Sequence, residues 1–258
     1  MKRNDLVKWL DTYLALSEYQ DISLNGLQLE GVETVNKIAF AVDSSFSTFE
    51  QAAQSGADML IVHHGLFWGS PLPITGMHRK RVAYLLETGI NLYAAHIPLD
   101  AHREVGNNWG LARLLAMTEL EDFGSWKGKP IGVKGSFPNG MSLRELANTI
   151  ETTLSQISGG KTTEPLMVHS GGDLEVHSLG IISGGASWDV VTAANEGLDA
   201  FLTGEPKHET FYEAFERGIN ALYAGHYMTE TVGVNLLAEK IGAEFGLATE
   251  FIHLPTGL

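Results

Sequence analysis

The sequence predicts an α/β protein made of two duplicated α/β lobes, each built on a mostly parallel sheet. Three observations carry that prediction. Apolar strand-like runs alternate with helically spaced segments along the chain, the pattern of repeated βαβ units. Part of one half recurs in the other. Gly89-Ile90-Asn91-Leu92-Tyr93-Ala94-Ala95-His96 matches Gly218-Ile219-Asn220-Ala221-Leu222-Tyr223-Ala224-Gly225-His226 after one inserted residue, and 52–58 aligns without gaps on 193–199. Finally, 258 residues supply enough chain for two lobes with their own cores. The expected lobes are 1–125 and 126–258, with residues after about 240 open to packing on either one.

The elements follow in order. Leu6, Trp9, Leu10, Tyr13 and Leu14 recur at helical spacing behind Asn4, a candidate N-cap. Residues 38–42 read as a strand, 46–55 as a helix, 59–62 as a strand, 80–87 as a helix and 91–95 as a strand. The charged, Gly-containing stretch 118–129 reads as a linker or loop. Residues 130–137 read as a strand, and Ser142-Leu143-Arg144-Glu145 has the spacing of a capping box. Leu143, Leu146, Ile150 and Leu154 continue that helix on one face. The second half then repeats the order: strand 179–183, helix 188–196, strand 200–203, helix 209–217 and strand 221–224. A last helix carries Val232, Val234, Leu236, Leu237 and Ile241, with Thr229 as its candidate N-cap.

Composition narrows the function. There is no cysteine, which excludes disulfides, thiolate-held zinc, iron–sulfur clusters and a Cys nucleophile. The formal net charge of −14 argues against bulk nucleic-acid binding. No run of eighteen apolar residues exists, so no transmembrane helix is predicted and a cytoplasmic location is expected. Ten histidines in such a chain require an explanation.

The strongest local signal is Met59-Leu60-Ile61-Val62-His63-His64-Gly65, an apolar strand ending in two histidines and a glycine. Open α/β sheets place ligands beyond the carboxyl ends of their strands. Adjacent strand residues point to opposite faces. His63 and His64 therefore converge on one centre only where the backbone leaves the strand, which Gly65 eases; otherwise they serve two neighbouring metals. His96-Ile97-Pro98-Leu99-Asp100 and His226-Tyr227-Met228-Thr229-Glu230 are both His-x-x-x-carboxylate, each directly after a matching strand. Imidazole and carboxylate suit divalent first-row metals. Ile181-Ile182-Ser183-Gly184-Gly185-Ala186-Ser187 runs from a strand through glycines to a helix, either an anion-binding turn or a tight turn without a ligand.

These segments resemble a known family. His63-His64-Gly65, the run from His96 through Asp100, Ala101, His102, Gly106, Asn107 and Asn108, and Gly225-His226 with Glu230 are similar to the dinuclear-metal-centre family of toroidal proteins. That family is related to a yeast coactivator-interacting factor, and its members are often named GTP cyclohydrolase I type 2 homologs. Residues 25–31 resemble its N-terminal signature and Thr203-Gly204-Glu205 its C-terminal strand-end motif. The resemblance implies metal ligands at His63, His64, Asp100, His226 and Glu230, two divalent ions per chain (zinc, iron, manganese, nickel, cobalt or magnesium), and a homohexameric ring. It also implies a hydrolase opening the imidazole ring of GTP with a metal-bound hydroxide and releasing formate. On that reading His96 and His208 move protons, while Lys207 or the Gly184-Gly185 turn holds phosphate of a small-molecule, nucleotide-like substrate.

The rival class is a metal-binding scaffold or regulatory adaptor without catalysis. Five ligands shared by two metals leave open positions, whereas a structural metal is normally closed by protein. A ring encircling duplex DNA is disfavoured by the net charge.

Overall fold

The computed structural model describes residues 1–160 and 165–258. The chain opens with α1 (Arg3–Tyr13), which buries Leu6 and Leu10. Lys2, not Asn4, holds the N-cap position, and the Asn4 Oδ1 accepts instead from Arg3 Nε. There follow β1 (Gly26–Leu29), β2 (Lys37–Asp43), α2 (Phe46–Gln54), β3 (Met59–His64), α3 (Gly76–Thr88) and β4 (Asn91–Ala94). Next come α4 (Ile97–Ala101), α5 (Asn107–Leu114), β5 (Thr118–Phe123), β6 (Gly132–Ser142), α6 (Leu143–Ile157), β7 (Met167–His169) and β8 (Glu175–Ile181). The remainder is α7 (Val190–Asn195), β9 (Ala200–Thr203), α8 (Thr210–Glu216), β10 (Asn220–Tyr223), α9 (His226–Phe245) and β11 (Ala248–Phe251). Ser142 caps α6 as the capping-box spacing requires, its Oγ accepting from the Glu145 amide. Thr229 caps nothing, because α9 already begins at His226.

Two compact units divide these elements. Met1–Leu99 with Val234–Leu254 form the first, and Asp100–Gly233 with Pro255–Leu258 form the second. The division expected near residue 125 differs from this. The chain leaves the first unit inside α4 and returns to it inside α9. A boundary inside a helix carries none of the Gly, Pro or charge signals that mark a linker.

In the first unit the sheet runs β1-β4-β3-β2-β11. All its pairings are parallel except β1 with β4. Strands β2 and β3 read as continuous apolar runs because both of their faces are covered. Phe49 and Ala52 of α2, Leu85 of α3, Ala39 and Ala41 of β2, Leu60 and Val62 of β3 and Leu92 of β4 share one core. The C-terminal segment left open by the sequence contributes β11, paired with β2.

In the second unit the order is β5-β6-β8-β9-β10-β7. Only β8 with β9 and β9 with β10 pair in parallel, so this sheet is mixed rather than mostly parallel. Its flanking strands are added antiparallel. The presumed linker 118–129 supplies one of them, β5, whose Glu121 and Asp122 pair with Lys134 and Val133 of β6. Charge there reflects an exposed edge strand.

Each unit carries the same polar scaffold. In the first, Asn91 accepts from the Gly31 amide and donates to the carbonyls of Val32 and Asp58. In the second, Asn220 accepts from the Gly172 amide and donates to the carbonyls of Asp173 and Asp199. Asp58 Oδ2 accepts from the amides of Asn36 and Lys37, as Asp199 Oδ2 does from those of His177 and Ser178. Both asparagines are fully buried, where unmade hydrogen bonds are costly. Among the described residues no helix is long and apolar enough to cross a membrane.

Candidate metal centre

In the first unit, three histidines meet beyond the carboxyl ends of β3 and β4. His63 is fully buried and His64 is the last residue of β3. Their ring centroids stand 4.7 Å apart, and the ring of His96 lies 5.0 Å from that of His63 and 5.6 Å from that of His64. One ring nitrogen from each of the three falls within 4.8 Å of the others. The backbone does leave the strand here. A Cβ on Gly65 would lie 2.3 Å from the Gln28 Nε2, so glycine is what admits the turn. Gln28 fastens the same turn by accepting from the Leu66 amide through Oε1 at 2.7 Å.

The orientation of these rings is set through Nδ1. His63 Nδ1 donates to the Ala95 carbonyl at 2.9 Å, His64 Nδ1 to Asp43 Oδ1 at 2.8 Å, and His96 Nδ1 to Asp21 Oδ1 at 3.0 Å. A carbonyl or carboxylate oxygen only accepts, so each Nδ1 carries a proton and Nε2 is the ring nitrogen that would meet a metal. Asp21 is the most heavily used of these acceptors. It also takes hydrogen bonds from the Ser23 amide, the Asn25 side chain and the Ile97 amide. Burial pushes the Asp21 carboxyl up. The hydrogen bond and charge of His96, with the bonds from Asn25 and Ser23, outweigh this and hold it well below the usual carboxylate range.

In the second unit, His226 is the first residue of α9 and Glu230 lies one turn later. His226 Nδ1 donates to Glu205 Oε1 at 2.6 Å, while Nε2 stands 3.0 Å from Glu230 Oε1. Burial pulls the His226 imidazole down, but hydrogen bonds and charge from Glu230 and Glu205 overcome it and raise its pKa to about 9. Asp100, also buried, accepts at Oδ1 from Asn107 Nδ2 at 2.8 Å and from the Ser183 hydroxyl at 2.9 Å.

Gly184 shapes this second cluster. A Cβ there would lie 2.6 Å from Glu230 Oε1 and 3.2 Å from His226 Nε2, and its φ of +67° is in the left-handed region. The loop therefore leaves a space against the donor atoms that any side chain would fill. Its amides are turned inward: Ser183 N donates to Asn108 Oδ1, Gly184 N to Thr229 Oγ1 and Ala186 N to Thr203 Oγ1. The anion-binding role expected of Gly184 and Gly185 thus loses the Gly184 amide it needs. Lys207 and His208 sit exposed on the turn before α8, and neither side chain makes a hydrogen bond or ion pair among the described residues.

The donors fit a metal. Four imidazoles have Nδ1 held on an oxygen, which is how metal-ligating histidines are oriented. The chain has no thiolates but does bury two carboxylates, Asp100 and Glu230, and imidazole with carboxylate is a donor chemistry suited to divalent first-row ions. Sequence reading missed the three carboxylates that orient the rings. Asp43 was within reach, since it ends β2 opposite His64 in the parallel register. Glu205 stood in a noted motif without a role. Asp21 left no local signal, being 75 positions from His96.

A family model for Duf34/NIF3 (NGG1p interacting factor 3) matches residues 1–256. The chain belongs to the Duf34/NIF3 family. A relative from Deinococcus radiodurans named GTP cyclohydrolase 1 type 2 homolog is 48% identical over 256 residues, covering 99% of this chain and 94% of that protein. Another of that name, from Escherichia coli, is 38% identical and covers 99% of both chains. Among solved structures, TTHA1606 from Thermus thermophilus is 46% identical with a TM-score of 0.87, covering 100% of both chains. Protein ybgI, described as of unknown function, is 36% identical with a TM-score of 0.90 and the same coverage. The Duf34/NIF3 assignment agrees with the resemblance carried by the histidine motifs.

Proposed function

We propose that this protein is a dinuclear, divalent-metal-dependent hydrolase, with GTP as the first substrate to test. His63, His64, Asp100, His226 and Glu230 are the proposed ligands. The observation that carries the reading is the anchoring of each imidazole through Nδ1 to Ala95, Asp43, Asp21 or Glu205, which aims every Nε2 at a donor cluster. Two bound divalent ions would acidify a coordinated water and clamp an oxygen-rich substrate.

The residues of the chain do the rest. Ser183 and Asn107 fix the Asp100 carboxylate, and Asn107 Oδ1 also accepts from the Gly233 amide, tying α5 to α9. His96 is held at Nδ1 by Asp21, so Nε2, beside His63 and His64, is the nitrogen through which it would move a proton. The GTP assignment draws on the name given to the relatives. A homohexameric ring is proposed with it, and the exposed Phe211, Tyr212 and Phe215 of α8 supply apolar surface for self-association.

The test is metal content and GTP turnover, followed as formate release, in the wild type and in Glu230→Ala. The expected outcome is two ions per chain and turnover in the wild type, with both reduced in the variant. Wild-type protein loaded with metal that turns over neither GTP nor other nucleotides would favour the non-catalytic scaffold. Fewer than two ions per chain at saturating supply would overturn the dinuclear assignment. Sedimentation or light scattering decides the hexamer.

A further inference from the structure

Beside the three histidines of the first unit stands an aromatic side chain with no part in holding them. The Trp68 ring centroid lies 5.0 Å from that of His96, at 74°, and 5.7 Å from that of His64. The indole is pinned from two sides. Its Nε1–H donates to the Gly65 carbonyl at 2.8 Å, across the turn that ends β3. Its backbone forms an antiparallel bridge with Ser23, flanked by bonds from the Leu24 amide to the Phe67 carbonyl and from the Gly69 amide to the Ile22 carbonyl. Despite this fastening the ring is only half-buried. With its one polar atom already used, the surface it still offers is π face and carbon edge.

A second group points the same way. Residues opposite each other on an antiparallel pair project to the same side, with Cβ atoms about 5 Å apart. The partner of Trp68 is Ser23, whose side chain is 94% buried by its 6% exposure and whose Oγ has no hydrogen-bond partner among the described residues. A buried hydroxyl in that condition is costly in water-excluded surroundings. An aromatic wall next to a hydroxyl without a partner matches one ligand chemistry: a flat ring with polar atoms on its edge.

We propose that Trp68 and Ser23 form the ring-recognition subsite of this centre, and that its ligand carries a planar nitrogen heterocycle stacked on Trp68 with an edge atom bonded to Ser23. This deepens the reading of the centre as a hydrolase by naming the part of the substrate that is read. It also explains why the indole is locked in advance, since a preordered aromatic loses little entropy when a ring stacks on it.

The test compares two probes on the metal-loaded protein by titration calorimetry: GTP, and inorganic tripolyphosphate, which has the charges without the ring. The wild type is expected to bind GTP at least tenfold more tightly than tripolyphosphate. Trp68→Ala should abolish that difference, a change within the range of base–aromatic stacking. Trp68→Phe should restore most of it, and Ser23→Ala should weaken GTP binding several-fold while leaving tripolyphosphate alone. Metal content and Tm are recorded for each variant; where Trp68→Ala loses metal, Trp68→Phe and Ser23→Ala decide. Equal binding of both probes by the wild type overturns the proposal, as does a ring preference that survives Trp68→Ala with metal retained. If GTP fails to bind but free pterin or guanine binds in a Trp68-dependent manner, the subsite stands and the GTP assignment falls.

Discussion

The two units solve the same structural problem with the same parts and then arm the result differently. Asn91 and Asp58 in the first unit do what Asn220 and Asp199 do in the second, down to the partners of each amide nitrogen. Beyond the strands the likeness stops. The first unit gathers three imidazoles, two of them oriented by carboxylates and one by a carbonyl. The second offers one imidazole flanked by two glutamates. Such a scaffold fixes where strand ends point; the chemistry then depends on the few residues that follow each strand.

The scaffold half of this likeness breaks first under mutation. Asn91→Leu and Asn220→Leu should each cost about 3 kcal/mol, because each strands one amide and one carbonyl, while the Asp58 and Asp199 carbonyls keep their backbone amide donors. Urea unfolding checks this, and a neutral result for either one would separate the two units. Next in size are the orienting carboxylates. Asp43→Asn, Asp21→Asn and Glu205→Gln should weaken metal binding about ten- to hundredfold without unfolding the chain, measured by competition with a chelator. An effect confined to Glu205→Gln would mean that the second unit alone holds metal.

A pH effect also separates the units. In metal-stripped protein the His226 pKa is raised to about 9. Its stabilising contribution is therefore complete below the ordinary imidazole value near 6.5 and is lost as pH rises through about 9, by roughly 3 kcal/mol. The Asp21 carboxyl is shifted the other way, so its contribution is complete above the ordinary carboxylate value and disappears only in strong acid. Thermal melts across pH 6 to 10, with and without Glu205→Gln, test the first of these; a profile unchanged by the substitution would refute it. The smallest difference lies at the helix starts. Ser45 caps α2 by accepting from the Thr48 amide, whereas Asp189 caps no amide of α7 and burial raises its carboxyl pKa. Ser45→Ala should cost about 1 kcal/mol and Asp189→Ala close to nothing.

Much of the site was legible because histidine after an apolar run is conspicuous, and the sequence places His63, His64, His96 and His226 correctly at strand ends. What stayed hidden depends on long-range pairing. The 118–129 stretch looks like a loop until Glu121 is seen opposite Lys134 on an edge strand. The unit boundary is invisible because it falls within α4 and α9. The inward use of the Gly184 amide depends on Thr229, 45 positions away, which sequence spacing does not reveal.

Strand β11 has a consequence for how the chain is made. It completes the first unit by lying parallel to β2, yet it is synthesised after every residue of the second unit's sheet. A chain emerging from the ribosome can assemble β1 to β4 early but must hold the outer edge of β2 unpaired until the second unit has been made. The protein's first structure to begin is thus among its last to finish. During that interval the apolar β2 edge is the segment most in need of protection from pairing with another nascent chain.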